Sequence, residues 1–191
     1  MSSSIILYLT RHGRTEWNHA GRFQGQSDIP LDDVGRAQAA ALARVLAGKV
    51  EVAVASDLSR ASETARIICE ELQIPLIGVD PELRERGFGI FEGLTRAECM
   101  ERHPVEWAAR EGNRNFEVRG GEPPPLVIER MQRALERTVQ QLRGRYQRAL
   151  VVSHGSSLRM FLESLTGEPH PPIGNLEFRE VQHDGERFSR V

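Results

Sequence analysis

Residues 5–10, 52–56 and 149–153 are short, almost unbroken apolar runs, and each is followed by a stretch whose apolar positions recur at helical spacing. A run without polar alternation is what a strand covered on both faces needs. Helical patterns span 31–46, 59–72, 125–142 and 156–165. Asp32 or Asp33 is placed to cap the first of these and Gly48 to stop it, and Pro75 ends the second. Residues 76–79 read as a further strand, and 176–181 with 188–191 as a terminal hairpin turning at Asp184-Gly185. Strands alternating with helices predict an α/β fold of three layers, α/β/α, around a mainly parallel sheet.

A chain of 191 residues, 39% hydrophobic and 27% charged, is expected to form one domain over 1–191 with a core that needs no staples. The stretch 80–125 breaks the alternation. It holds Gly87, Gly89, Gly93, Gly112, Gly120 and Gly121, a helical piece at 95–102 and the run Pro123-Pro124-Pro125, and it reads as an insertion. The apolar run at 5–10 is too short for a secretory signal, and no stretch of ~18 apolar residues occurs, so neither secretion by that route nor membrane spanning is expected.

With 25 basic against 27 acidic residues, nucleic-acid binding has no electrostatic support. Lys49 is the only lysine, and Gly48-Lys49-Val50 lacks the Gly-Lys-Ser/Thr of a phosphate-binding P-loop. Anion binding therefore falls to arginine, whose fork suits phosphate. Cys69 and Cys99 are too few for a disulfide framework, which points to a reducing cytoplasm, and neither opens a Cys-x5-Arg phosphatase loop. Cys69 fits a helical apolar face as a small buried hydrophobe.

The chemistry concentrates at strand ends. Thr10-Arg11-His12-Gly13 follows the first strand and Ser153-His154-Gly155 a late one, and in open α/β sheets ligands bind beyond such carboxyl ends. The helix expected directly after His154 would offer N–H groups and a positive dipole end to an anion. Arg60, in the turn after the second strand, joins Arg11 and the two histidines in a pocket suited to phosphate. Neither histidine has metal-ligand spacing, so no metal is expected. His19, His103, His170 and His183 stand in polar or proline-rich surroundings and are expected at the surface.

These blocks together resemble the opening and core of the histidine phosphatase (phosphoglycerate mutase-like) superfamily. Arg11-His12-Gly13-Arg14-Thr15-Glu16-Trp17-Asn18, Gly21-Arg22-Phe23-Gln24-Gly25 and Asp28-Ile29-Pro30-Leu31 come first. Ser56-Asp57-Leu58-Ser59-Arg60-Ala61, Leu83-Arg84-Glu85-Arg86-Gly87, Phe91-Glu92-Gly93 and Val152-Ser153-His154-Gly155 follow in the family's order. The resemblance implies that His12 attacks phosphorus and becomes a phosphohistidine. It implies that Arg11, Arg60 and His154 hold the phosphate and its transition-state charge without a cofactor, and that Glu85 protonates the leaving alkoxide. Glu82 and Glu92 are the reserve acids. Asn18, Gln24, Gly25 and Gly155 match positions lining the phosphate site, and Arg96 matches a substrate-binding lysine of the mutases. The nitrogen of His12 facing away from phosphorus is expected to donate to a backbone carbonyl.

Several departures favour the phosphatase branch. The insertion at about 88–125 is shorter than that of the mutases, Gln24-Gly25-Gln26 replaces their Thr-Gly-Trp, Phe88 replaces a tyrosine, and Ala108-Ala109 follow Trp107 where they carry paired arginines. The expected activity is hydrolysis of a small phosphate monoester. The alternatives are a 2,3-bisphosphoglycerate-dependent phosphoglycerate mutase and a non-catalytic phospho-ligand binder. Pro123 replaces the serine of Gly-Gly-Glu-Ser, so a substrate or cap interaction there is expected to be missing. Arg96, Arg102, Arg110, Arg114 and Arg119 in the insertion suit a second anionic group of the substrate, and Phe91, Trp107 and Phe116 a sugar or ring. Residues 173–178 are expected to be exposed, as a sheet edge or as the interface of a homodimer.

Overall fold

The computed structural model describes residues 4–191. Its strands are β1 (Ile5–Arg11), β2 (Val52–Ala55), β3 (Leu76–Val79), β4 (Arg148–Ser153), β5 (Phe178–His183) and β6 (Phe188–Arg190). Its helices are α1 (Glu16–His19), α2 (Asp33–Leu46), α3 (Ser59–Leu72), α4 (Arg96–Arg102), α5 (Pro104–Gly112), α6 (Pro124–Leu142) and α7 (Gly155–Thr166). The strands form one sheet in the order β3-β2-β4-β1-β5-β6; the first four are parallel and β5 and β6 run antiparallel. This is the mainly parallel α/β/α architecture expected from the alternation.

The period of two along each strand divides the core. Leu7, Leu9, Val52, Val54, Ala149 and Val151 pack with Met131, Leu135 and Val139 of α6 and Leu158 and Phe161 of α7. Tyr8, Ala53, Ala55, Leu150 and Val152 meet Ala39, Leu42 and Ala43 of α2 and Ala61, Ala65 and Ile68 of α3 on the opposite face. Both faces are therefore covered, which is why these strands read as continuous apolar runs. Cys69 and Cys99 are free and buried, and burial pushes the Cys69 thiol up to about 11. No helix among the described residues is long and apolar enough to cross a membrane.

Several expectations need correction. The terminal hairpin begins at Phe178, because Leu176 takes a left-handed φ of 57° that no strand accommodates. Residues 173–178 do not form an exposed edge: Ile173 is 2% exposed and lies in the core, and Phe178 pairs with Thr10. His183 is buried because its strand alternation turns it inward beside Val181; it stacks edge-on against Phe188 at 4.7 Å and its Nδ1 accepts from Gly185 N. His170 is buried too, its ring held on the Pro171 carbonyl at 2.8 Å. His19 is exposed.

Candidate active site

Strand register builds the site. β1 and β4 are adjacent and parallel with Arg11 opposite Ser153, so the next residues, His12 and His154, emerge side by side with ring centroids 5.1 Å apart. β2 flanks β4 on the other side with Ala55 opposite Val152, and Arg60 enters from the first turn of α3. The α1 turn is set by a capping box between Thr15 and Asn18, which brings Asn18 to the rim.

His12 is 3% exposed. Its Nδ1 lies 2.7 Å from the Gly13 carbonyl, and Arg60 Nε donates to its Nε2 at 3.2 Å. A carbonyl can only accept and a guanidinium can only donate, so the proton sits on Nδ1 and Nε2 keeps its lone pair. Burial, then Arg11 and Arg60, holds the imidazole neutral by lowering its pKa well below 6.5, against the Gly13 carbonyl. His154 is fully buried and lowered in the same direction by burial, Arg60, His12 and Arg11. Neither of its ring nitrogens has a protein partner, and neither does the buried Arg11 Nε.

The arginines are fixed by carbonyls and, among the described residues, make no ion pair. Arg60, fully buried, donates to Gly25 O at 2.8 Å and Ser27 O at 2.7 Å. Arg11 donates to Ile173 O at 3.0 Å. The loop carrying Gln24 and Gly25 is tied down by Glu92, which accepts from Gln26 N, Ser27 N, Ser27 Oγ and Phe88 N. Asn175 donates to the His12 carbonyl at 2.8 Å and to Asn18 Oδ1 at 3.2 Å.

Glu85 faces the same cleft from the loop after a single 3-10 turn at Pro81–Leu83. Its Oε1 accepts from Arg86 N at 2.8 Å, Ser157 N at 2.9 Å and Ser157 Oγ at 3.1 Å, whereas Oε2 accepts only from Ser156 N at 3.0 Å. The first turn of α7 therefore holds both oxygens, Oε1 by two donors and Oε2 by one, and leaves Oε2 the more available. Glu85 is also the acid whose charge acts on both Arg11 and Arg60.

The cleft is lined by Arg11, His12, Asn18, Gln24, Gly25, Arg60, Glu85 and Gly155. His154 stands directly behind, against the His12 ring. Arg96 is not in the lining: it stands exposed at the first position of α4 with its guanidinium 5.5 Å over the Trp107 ring. Glu82 and Glu92 are not there either, being consumed by Arg133 and Arg137 and by the 26–27 loop respectively. Pro123 stands at the N-cap of α6 and, having no hydroxyl, gives that helix no side-chain cap. Among the described residues, no group of three His, Cys, Asp or Glu side chains converges as a metal site would require.

A family model for the histidine phosphatase superfamily (branch 1) matches residues 7–189. The chain belongs to the histidine phosphatase superfamily. It is 39% identical over 165 residues to a metal-independent phosphoserine phosphatase of Arabidopsis thaliana, 84% of this chain and 68% of the relative. It is 34% identical over 168 residues to a probable phosphoglycerate mutase of Yersinia pestis, 86% and 76% of the two chains. The solved structure of YhfR from Bacillus stearothermophilus superposes with a TM-score of 0.86 at 29% identity, covering 98% of this chain and 95% of that one.

Within this superfamily frame the structure adds residues that sequence reasoning missed. Ser156, Arg159, Arg22, Phe23, Pro172 and Ile173 also line the cleft. Arg159 stands four residues after Gly155 on α7, a spacing that puts both on one helix face and that the sequence offered as a signal. Of the insertion arginines, Arg110 and Arg114 reach the cleft; Arg119 turns to Glu106 at 3.6 Å. Phe91 and Trp107 are buried in the insertion's own small core with Phe88, Cys99 and Val118, and of these rings Phe88 also borders the cleft.

Proposed function

We propose that the protein is a metal-independent phosphatase of small phosphate monoesters working through a phosphohistidine on His12. The observation that carries this reading is the tautomer of His12. With Nδ1–H committed to Gly13 O, the Nε2 lone pair faces Arg60 in a cleft of positive charge. The Nε2–phosphorus bond forms as the ester P–O bond breaks. Arg11, Arg60 and His154 take up the charge on the non-bridging oxygens. The leaving alkoxide takes a proton from Glu85 through Oε2. Water then attacks phosphorus, its proton passes to Glu85, and phosphate leaves with His12 restored. All the positive charge comes from this chain's own side chains.

Arg110 supports a substrate with a second anionic group. It makes no ion pair among the described residues; burial, then Arg86, Arg114, Arg159 and Arg96, lowers its pKa to about 10. It stacks 5.0 Å over Phe23 and, with that ring, lines the cleft. Phosphoserine and phosphoglycerate, in the names of the two relatives, both carry a carboxylate. A mutase reading is favoured by the Yersinia relative. Two buried free thiols support a reducing, cytoplasmic setting.

The test is phosphate release from a panel of small esters in EDTA, with 3-phosphoglycerate samples assayed for 2-phosphoglycerate with and without 2,3-bisphosphoglycerate. Phosphate release without interconversion is expected. Fast interconversion with little phosphate release makes the protein a mutase.

A further inference from the structure

The segment that carries Glu85 has no regular structure of its own: the 3-10 turn ends at Leu83, and the insertion begins at residue 88. Nonetheless its backbone is fastened at every residue, and one side chain from outside holds three carbonyls between residues 82 and 85. Arg130, on the second turn of α6 and 8% exposed, donates through Nη1 to Glu82 O at 2.7 Å and Arg84 O at 2.6 Å, and through Nη2 to Glu85 O at 3.0 Å. The same guanidinium holds Glu122 in a fork, Nε to Oε1 at 2.7 Å and Nη2 to Oε2 at 2.8 Å.

Glu122 is the last residue of the insertion before the proline run, and it closes the other side of the loop. Its N donates to Gly87 O at 2.9 Å, its Oε2 accepts from Gly87 N at 3.3 Å, and its carbonyl accepts from Arg86 Nε at 2.9 Å. The carboxyl of Glu85, by contrast, is oriented only by Arg86 N and the first turn of α7. Two helices therefore share the loop: α7 aims the carboxyl and holds Arg84 O through Ser157 Oγ at 2.8 Å, and α6 holds the carbonyls of Glu82, Arg84 and Glu85.

We infer that the buried Arg130–Glu122 pair is a positioning device for Glu85, joining the exit of the insertion to the backbone of the acid. This rests on the reading of Glu85 as the proton donor. A general acid must stand within hydrogen-bond reach of its oxygen, so a shift of the 82–87 backbone costs proton transfer more than phosphate binding. Lysine cannot replace the clamp. It has no planar fork, and at most three of the five bonds survive.

The discriminating readout is the leaving group. An aryl phosphate such as p-nitrophenyl phosphate departs as a stable phenolate and needs little acid help, whereas an alkyl phosphate depends on it. We expect kcat/KM of Arg130→Lys and of Glu122→Gln to fall about tenfold further on the alkyl ester than on the aryl ester, a part of the full effect of a general acid. Glu85→Gln is the reference and should show the larger discrimination. Glu122→Gln carries the test by itself if Arg130→Lys does not fold. Equal losses on both esters, or none, in the clamp variants while Glu85→Gln discriminates overturn the inference alone. Equal losses in Glu85→Gln remove the acid assignment, and the inference with it.

Discussion

At the residue scale, one hydrogen bond decides what His12 can do. The contact of Nδ1 with Gly13 O fixes the tautomer, and Arg60 Nε marks the direction in which the lone pair points. Changing His12 to Ala is expected to cut phosphate-ester turnover by ~10³-fold or more while leaving the melting temperature near that of the parent. Both site histidines are buried with pKa values pushed below the ordinary 6.5. Above that value folded and unfolded chains hold neutral rings alike. Below it the unfolded chain binds protons that the folded site refuses, so stability falls with pH, by up to about 1.4 kcal/mol per pH unit for each histidine. A thermal-shift series from pH 7 to pH 5 should therefore show a falling melting temperature, and His154→Asn should flatten it. Inorganic phosphate, supplying the missing counter-charge, should also flatten it. The places of Arg11 and Arg60 in the cleft were legible because both adjoin strand ends; Arg159 was hidden because its charge sits in a helix pattern that reads equally as a solvated face.

At the element scale, the site depends on how closely α2 approaches the end of β1. Gly13 and Gly35 meet backbone to backbone: a Cβ on Gly35 would stand 2.1 Å from Arg14 O, and one on Gly13 2.6 Å from Gly35 O. Gly35→Ala has only backbone to push against, at a cost of ~1–3 kcal/mol. It should lower the melting temperature by about 2–10 °C and reduce kcat, since Gly13 carries the carbonyl that locks His12. A variant with unchanged kcat and stability would show that the strand end tolerates displacement. The strands and α2, α3, α6 and α7 were readable because burial on two faces and a clear helical period write themselves into the apolar pattern. Helix α5 was not, since His103-Pro104 and Gly112 look like a loop although proline suits a first helical turn. His170 and His183 were misjudged for a related reason. Their burial comes from near neighbours, Glu163 and Pro171 around His170 and Phe188 on His183, and polar or proline-rich surroundings do not show that the chain folds back on them.

At the scale of the whole molecule, the sheet ends that carry Arg11, His12 and His154 are bordered by an insertion that has its own small core, Phe88, Phe91, Cys99, Trp107 and Val118. The two parts divide the work. The sheet ends bring Arg11, His12 and Gly155 to the cleft and the insertion brings Arg110 and Arg114; on the proposed reading the first group holds the phosphate and the second meets the leaving group. Arg110→Met should accordingly raise KM about tenfold for phosphoserine or 3-phosphoglycerate, roughly the 1.4 kcal/mol of one charge-assisted contact, and change it little for phosphoethanolamine. Equal changes for all three would detach Arg110 from substrate choice. The fold and the cleft residues at the strand ends were thus open to sequence reasoning; which insertion arginines turn inward was not, because only packing against Phe23 and Trp107 sets their directions.

The central claim is a covalent intermediate, and rapid quenching tests it most directly. The enzyme is mixed with substrate in EDTA, quenched within a turnover into alkali, digested and mapped by mass spectrometry. The account predicts a peptide heavier by one phosphoryl group on His12, labile to acid and absent from His12→Ala. Steady phosphate release with no phosphorylated His12, or with the label on another residue, would contradict it.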